Sequence, residues 1–286
     1  MKKVKFEPFK VLVWILMAVF ALSFVLLFFW MVMSSFRDAF RFGENSLNVF
    51  DLKNFSFDGF KVVLGNEMQE STGFSFVRLL FNSLVLILIY ISSALLFPPM
   101  VGYTLAKYNF KGKKLIYLFI ILTMTVPGIG TTLATYQFIV GKLHLLNNWL
   151  SVIILQTSGI GFGALLYANY FGGLPHDYVE SAYVDGAGEF TIYFKIMYPQ
   201  AKPLLITMAI LAFIGGWNDY MVSFLYLPDK PTIAYGINEL TSYYIAQQSY
   251  PTVFAALIVC SIIPLVIYGF FSDTIMSSVS VGGIKG

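Results

Sequence analysis

The sequence predicts an all-α polytopic membrane protein with about six transmembrane helices, and three observations predict it. Hydrophobic residues make up 58% of the 286 residues and charged residues only 12%, with a mean hydropathy of +0.75. Several apolar stretches reach the roughly 20 residues that a helix needs to cross a hydrocarbon layer about 30 Å thick. Basic residues collect in alternate connections between those stretches, the arrangement that charge-directed topology produces. A soluble core has no room for so much apolar surface.

The first run, Val11 to Met33, follows Lys2, Lys3 and Lys5 and ends at Ser34-Ser35-Phe36-Arg37-Asp38. It is too long for a signal peptide and has no convincing small-residue cleavage site, so it is expected to be an uncleaved first span. Residues 1–36 then form an N-terminus and first helix, and 37–75 an external segment. The later spans are Phe76 to Pro98, Leu115 to Val140, Leu150 to Phe171, Pro203 to Leu227 and Val253 to Phe271. They make 76–272 one membrane core and leave 273–286 as a short tail. The lone Cys260 has no partner for an internal disulfide.

Orientation follows from the lysines. Lys2, Lys3, Lys5 and Lys10 place the N-terminus inside, and alternating crossings then put Lys107, Lys111, Lys113, Lys114, Lys195, Lys202 and Lys285 inside too. Asp38, Glu44, Asp51, Asp58, Glu67 and Glu70 fall outside, where they outnumber Arg37, Arg41, Lys53 and Lys61. Both termini are expected in the cytoplasm.

The connection between the fourth and fifth spans, 174–202, carries a helical pattern of its own. Leu174-Pro175-His176-Asp177 opens it with a proline near a first turn and acids where a helix N-terminus favours them. Glu180-Ser181-Ala182-Tyr183-Val184-Asp185 continues as helix, and Gly186-Ala187-Gly188 lets the backbone turn sharply. In a second short helix Phe190, Tyr193, Phe194 and Met197 form one apolar stripe, and Pro199 is expected to end the run.

Glu180-Ser181-Ala182, then Gly186, Ile196 and Pro199, resembles the EAA loop of ABC importer permeases, a signature of Glu-Ala-Ala, three residues, Gly, nine residues, Ile, one residue, Leu, Pro. The spacing is kept throughout; Ser181 and Tyr198 depart from the usual Ala and Leu. The chain is similar nearly end to end to the MalG-like carbohydrate branch of the binding-protein-dependent inner-membrane components. Asn82-Ser83-Leu84, Tyr103-Thr104-Leu105-Ala106-Lys107-Tyr108, Val126-Pro127-Gly128, Leu143 through Trp149, Gly216-Trp217-Asn218-Asp219-Tyr220 and the closing Gly282-Gly283-Ile284-Lys285-Gly286 carry that resemblance by order and spacing.

The resemblance implies a type I ABC importer permease fold in a bacterial plasma membrane and passage of a sugar or oligosaccharide. It implies three protein partners: a second, MalF-like permease, a cytoplasmic ABC ATPase dimer, and an extracellular or periplasmic sugar-binding protein. The chain has no Gly-rich loop ending in Gly-Lys-Ser or Gly-Lys-Thr, so no cofactor is expected on it, and ATP and Mg belong to the partner ATPase. Glu180, Ser181, Ala182, Asp185, Gly186, Gly188, Phe190, Phe194, Ile196 and Pro199 are the expected ATPase-coupling residues. Among them Glu180 is to meet a basic residue of the ATPase, Gly186 to set the turn, and Phe190 with Phe194 to form a packed hinge toward the membrane. For Glu180 the plain alternative is a solvated helix-terminal acid.

Polar groups inside spans are costly and so are candidates for a substrate path. Trp217, Asn218 and Asp219 suit sugar hydroxyls and a sugar's apolar face, or tie their helix to its neighbours, the reading favoured for Asp219. Tyr136, Gln137, Gln156, Asn169 and Asn82 are further candidates, each equally an interhelical hydrogen bond. Outside, 54–64 and the Pro228 to Tyr250 loop, with Tyr235, Tyr243 and Tyr244, are placed to receive a binding protein or to pack as loops. His144 and His176 fall on opposite sides of the membrane and make no metal pair. Thr157-Ser158-Gly159 is a packing surface before it is a protease serine. The basic residues lie between spans and give no nucleic-acid surface. The remaining alternatives are an ABC importer for another solute and an ion-coupled carrier, although the chain lacks the related halves and intramembrane charges of the latter.

Overall fold

Apart from one isolated bridge between Arg37 and Phe55, the regular structure among the described residues of this computed structural model is helical. The described residues are 8–47, 55–125, 130–158 and 161–282. Lys2, Lys3, Lys5, Asn54, Val126-Pro127-Gly128, Gly159 and the tail from Gly283 lie outside them. The chain divides into two units, one built from residues 1–76 and 237–263, the other from 77–236 and 264–286.

In the first unit, helix α1 (Pro8–Ser35) is apolar on all sides and exposed from residue 8 to 29, as a helix is whose solvent is lipid or another protein. At its end Arg37 turns back under the short helix α2 (Ala39–Glu44). Its guanidinium donates to the carbonyls of Arg41 at 3.2 Å and Asn45 at 2.8 Å, and sits 5.3 Å from the Phe42 ring centroid. Asp38 caps the other end, accepting from the backbone of Phe40 and Arg41. The helices α3 (Asp58–Leu64) and α4 (Glu67–Thr72) follow, so the described residues of the segment 37–75 carry three short helices.

The second unit holds α5 (Phe76–Lys107), α6 (Lys113–Thr125), α7 (Thr131–Tyr136) with a π-helical extension over Gln137–Lys142, α8 (Trp149–Ser158) and α9 (Gly161–Gly172). It continues with α10 (Asp177–Val184), then α11 (Glu189–Thr191), a π-helical stretch Ile192–Met197 and α12 (Tyr198–Gln200), which make one rod. Next come α13 (Lys202–Asn218) and α14 (Met221–Tyr226). Two helices, α15 (Ile233–Ala246) and α16 (Tyr250–Gly282), run through the boundary between the units.

Among the described residues three helices are long and apolar enough to cross a membrane: Pro8–Ser35, Phe76–Lys107 and Tyr250–Ser272. The other expected spans are interrupted. Leu150 to Phe171 is two helices bent by 50°, and Leu115 to Val140 is α6 and α7 on either side of residues 126–129. Pro203 to Leu227 breaks at Asp219, whose extended backbone separates α13 from α14.

The second span, expected to stop at Pro98, continues nine residues further to Lys107. Pro98 and Pro99 are both buried inside it. A proline removes the hydrogen bond to the carbonyl four residues back. For Pro99 that carbonyl belongs to Leu95, and the Tyr198 hydroxyl donates to it at 3.1 Å. Small residues then let α9 approach α5: a Cβ on Gly102 would lie 2.5 Å from the Tyr167 Cβ and 2.9 Å from the Ala164 carbonyl oxygen.

Candidate functional site

The loop 174–202 is the part of the second unit where polar side chains and helix ends converge. Its first arm, α10, turns into the second through a tight C-terminal cap. Gly186 has φ +78°, its N–H bonds the Tyr183 carbonyl at 3.0 Å, and the Ala187 N–H reaches back to Ala182 at 2.9 Å. This pair of bonds needs a left-handed residue between them, which glycine adopts without strain. Gly188, grouped with Gly186 in the sequence, is instead extended at φ −77° and any residue adopts that backbone.

Packing under the loop is aromatic. Val179 and Ala182 of α10 and Ile192, Tyr193 and Met197 of the second arm are buried against Tyr103 of α5 and Tyr167 and Phe171 of α9. Glu180, Ser181 and Asp185 point outward and are exposed, so the Glu-Ser-Ala triplet is split, with Ala182 inside. Phe190 and Phe194, 74% and 47% exposed, are not packed into this core. The expected single stripe therefore divides into a buried pair, Tyr193 and Met197, and an outward pair. Helical geometry explains the division: residues 193 and 197 are four apart, as are 190 and 194, and the two pairs occupy adjacent strips of the rod.

Pro199 stands one residue before the end of the second arm, close to where the sequence places the stop. The rod runs to Gln200, and α13 leaves it at 77°. Within the π-helical stretch the Tyr198 N–H bonds Tyr193, five residues back, which widens the helix just before the ring that would otherwise crowd it. Ile196 packs at the edge of the aromatic core and Pro199 is exposed.

Three side chains outside the loop, Lys107, Tyr108 and Tyr170, tie it to its frame, and Tyr183 ties its two arms together. Lys107 Nζ donates to the Leu174 carbonyl at 2.7 Å, and the Tyr170 hydroxyl to the Gln200 carbonyl at 2.7 Å. The hydroxyls of Tyr108, just past the end of α5, and of Tyr183, on α10, both donate to the Glu189 carboxylate, one to each oxygen. Tyr108 first and Tyr183 second hold that carboxyl below the usual glutamate range. Tyr108 and Tyr183 stand in the sequence only as members of longer stretches and Glu189 in no motif, because the contact between Tyr108 and Glu189 spans 81 residues and has no local signature.

The expected substrate-path residues do not form one constellation. Asp219 and Gln156 come together at Tyr90. The Tyr90 hydroxyl donates to Asp219 Oδ2 at 2.5 Å and meets Gln156, while Asp219 Oδ1 accepts from the Val222 N–H at 2.9 Å and so caps α14. Tyr90 lacked any motif and was missed. Trp217 is buried and stacks on Phe213, and exposed Asn218 donates back to its own helix at the Ile214 carbonyl. Asn82 is buried and donates to the Pro231 carbonyl at 2.9 Å, next to Ser83, which accepts from Ile233. Tyr136 faces Tyr226 with ring centroids 5.8 Å apart; Gln137 is exposed, and so is Asn169 on α9.

The family described as "Binding-protein-dependent transport system inner membrane component" matches residues 99–279, which include α9, the whole loop and α13. The chain belongs to that family. As an ABC transporter permease subunit it is a transport component rather than an enzyme, and a multi-pass membrane protein. The family description itself makes the permease one part of a system that includes a binding protein.

The permease is 29% identical over 288 residues to the arabinooligosaccharides transport system permease protein AraQ of Bacillus subtilis, covering 99% of this chain and 98% of that protein. It is 30% identical to AraQ of Halalkalibacterium halodurans, over 96% and 98% of the two chains. Its fold matches a chain of a bacterial ABC transporter involved in the import of the acidic polysaccharide alginate, with a TM-score of 0.74 at 24% identity over 93% of this chain and 95% of that one.

Proposed function

We propose that this permease carries a sugar or oligosaccharide inward across a bacterial plasma membrane, as the MalG-like half of a pair with a second, MalF-like permease. Both termini lie in the cytoplasm. Work comes from a separate ATPase dimer that hydrolyses ATP with Mg and acts on the loop 174–202, and the solute arrives on an external sugar-binding protein. The end-to-end likeness to permeases named for arabinooligosaccharides supports the substrate class. The observation that carries the coupling assignment is the loop itself, an exposed helix with Glu180 outward, closed by a left-handed Gly186, on a buried aromatic base.

In this mechanism the ATPase cleft grips the outward face of α10, and closing of the ATPase dimer moves the rod Glu189–Gln200 as a lever. The exposed Phe190 and Phe194 then meet the ATPase or the lipid surface rather than forming an internal hinge. A Cβ on Gly186 would have nothing within 4 Å, so a substitution acts through backbone strain and not through a clash. Gly186→Val therefore costs about 1–2 kcal/mol at that residue and reorients the second arm. Uptake of radiolabelled arabinotriose and maltotriose by the reconstituted importer should fall to background in Gly186→Val, with membrane insertion unchanged. Normal uptake by that variant would remove the coupling assignment, and a wild-type importer that takes up no sugar but a solute of another class would remove the sugar assignment.

A further inference from the structure

Glu189 sits where the two arms of the loop and the segment that leaves α5 meet. It opens the second arm of the loop, at a helix N-terminus that favours its negative charge. One carboxylate oxygen takes the hydroxyl of Tyr183 from the first arm, and the other takes the hydroxyl of Tyr108 from the segment that leaves α5. Only Asp185 through Gly188 connect the arms along the chain, and the turn there rests on a single left-handed glycine. A push on α10 would fold the loop about that turn unless something crosses it. Tyr103 of α5 and Tyr193 of the second arm, whose ring centroids are 5.1 Å apart, pack just beneath.

We propose that Glu189, through Tyr108 and Tyr183, is a positioning residue that clasps both arms of the loop to the inner end of α5, so that force applied to α10 reaches the second span instead of bending the turn. The proposal rests on the coupling role given to the loop above. Glu189 and Tyr183 are exposed, so these hydrogen bonds add little to folding. Their consequence lies in how much transport each hydrolysed ATP produces.

The test uses the full importer, with both permeases, the ATPase and the binding protein, in liposomes, and reads solute uptake per ATP hydrolysed. Glu189→Ala removes both acceptors, and Tyr108→Phe and Tyr183→Phe remove one donor each. The expected result is a fall of about five-fold or more in uptake per ATP for Glu189→Ala, with ATP hydrolysis within about two-fold of wild type. Adding Tyr108→Phe to Glu189→Ala should cause no further loss, because the two groups act as one unit. An unchanged ratio overturns the clasp, and so does a parallel loss of uptake, hydrolysis and assembled complex, which marks a purely structural role. A crosslink from Glu180→Cys to the ATPase separates the two levels: without it the coupling reading falls, whereas a crosslink with an unchanged ratio removes the clasp alone.

Discussion

The Tyr90 hydroxyl donates to the Asp219 carboxylate at 2.5 Å, joining residues 129 positions apart at the point where α13 stops and α14 starts. The same carboxylate caps α14 through the Val222 N–H. An acid in an apolar stretch is tolerable when each oxygen has a donor, and here both do. The arrangement favours the structural role for Asp219. Asp219→Ala removes both bonds and should destabilise the helix junction by about 2–3 kcal/mol, seen as a lower unfolding temperature in nanodiscs. Asp219→Asn, which keeps an acceptor for the cap, should lose less. Unchanged melting of the alanine variant together with altered solute selectivity would move Asp219 to the substrate path.

The approach of α9 to α5 depends on Gly102. Its missing Cβ would lie 2.8 Å from the Ala168 nitrogen and 2.5 Å from the Tyr167 Cβ, positions that backbone and Cβ atoms cannot vacate. Gly102→Ala should cost about 1–3 kcal/mol through overpacking. Gly141 has open space around it, so Gly141→Ala should be neutral or mildly stabilising. Comparing the two variants by thermal unfolding checks the prediction, and equal melting would contradict it.

Acid should loosen the clasp at Glu189. Its folded carboxyl is held below the ordinary value of 4.5 by Tyr108 and Tyr183, so its contribution is complete above that value and disappears as pH falls through the lower folded value. Tyr108 and Tyr183, which donate to it, are both shifted upward and stay neutral in that window. The difference in unfolding temperature between wild type and Glu189→Gln should be small, constant from about pH 8 to pH 5, and lost progressively as pH falls further through the lowered folded value. A difference that grows toward low pH would refute the assignment.

Arg37 organises the start of the segment that follows α1. Buried to 7% exposure, it donates to the carbonyls that end α2 and has the Phe42 ring beneath it. Arg37→Lys keeps the charge but not the planar fork. It should raise amide exchange across residues 39–47 by an opening free energy of about 1–3 kcal/mol, with α1 unaffected. Exchange at the wild-type level would show that α2 stands without it.

Much of the loop was legible beforehand. Gly186 announces a left-handed turn because few residues other than glycine take that backbone cheaply, and the Glu180 to Pro199 spacing marks the two arms. Helix ends were harder. Pro98 and Pro99 signal a stop locally, yet α5 continues to Lys107, since Tyr198 supplies a donor to the freed Leu95 carbonyl, whereas the rod at Pro199 does end one residue later. Phe190 and Phe194 matched the stripe of Tyr193 and Met197 by spacing alone, and only packing on α5 and α9 decided which pair is inside.

What the amino-acid order determined by itself is the class of the protein: apolar runs of spanning length, an all-helical chain, and the paired arms with their glycine turn. These depend on residues near one another in sequence, where periodicity, charge and backbone conformation act. The partners of Asp219, Glu189 and Asn82 were decided only in the tertiary structure, at separations of 129, 81 and 149 residues. A hydrogen bond needs two groups within about 3 Å, and no local pattern states which distant helix will bring the second one there.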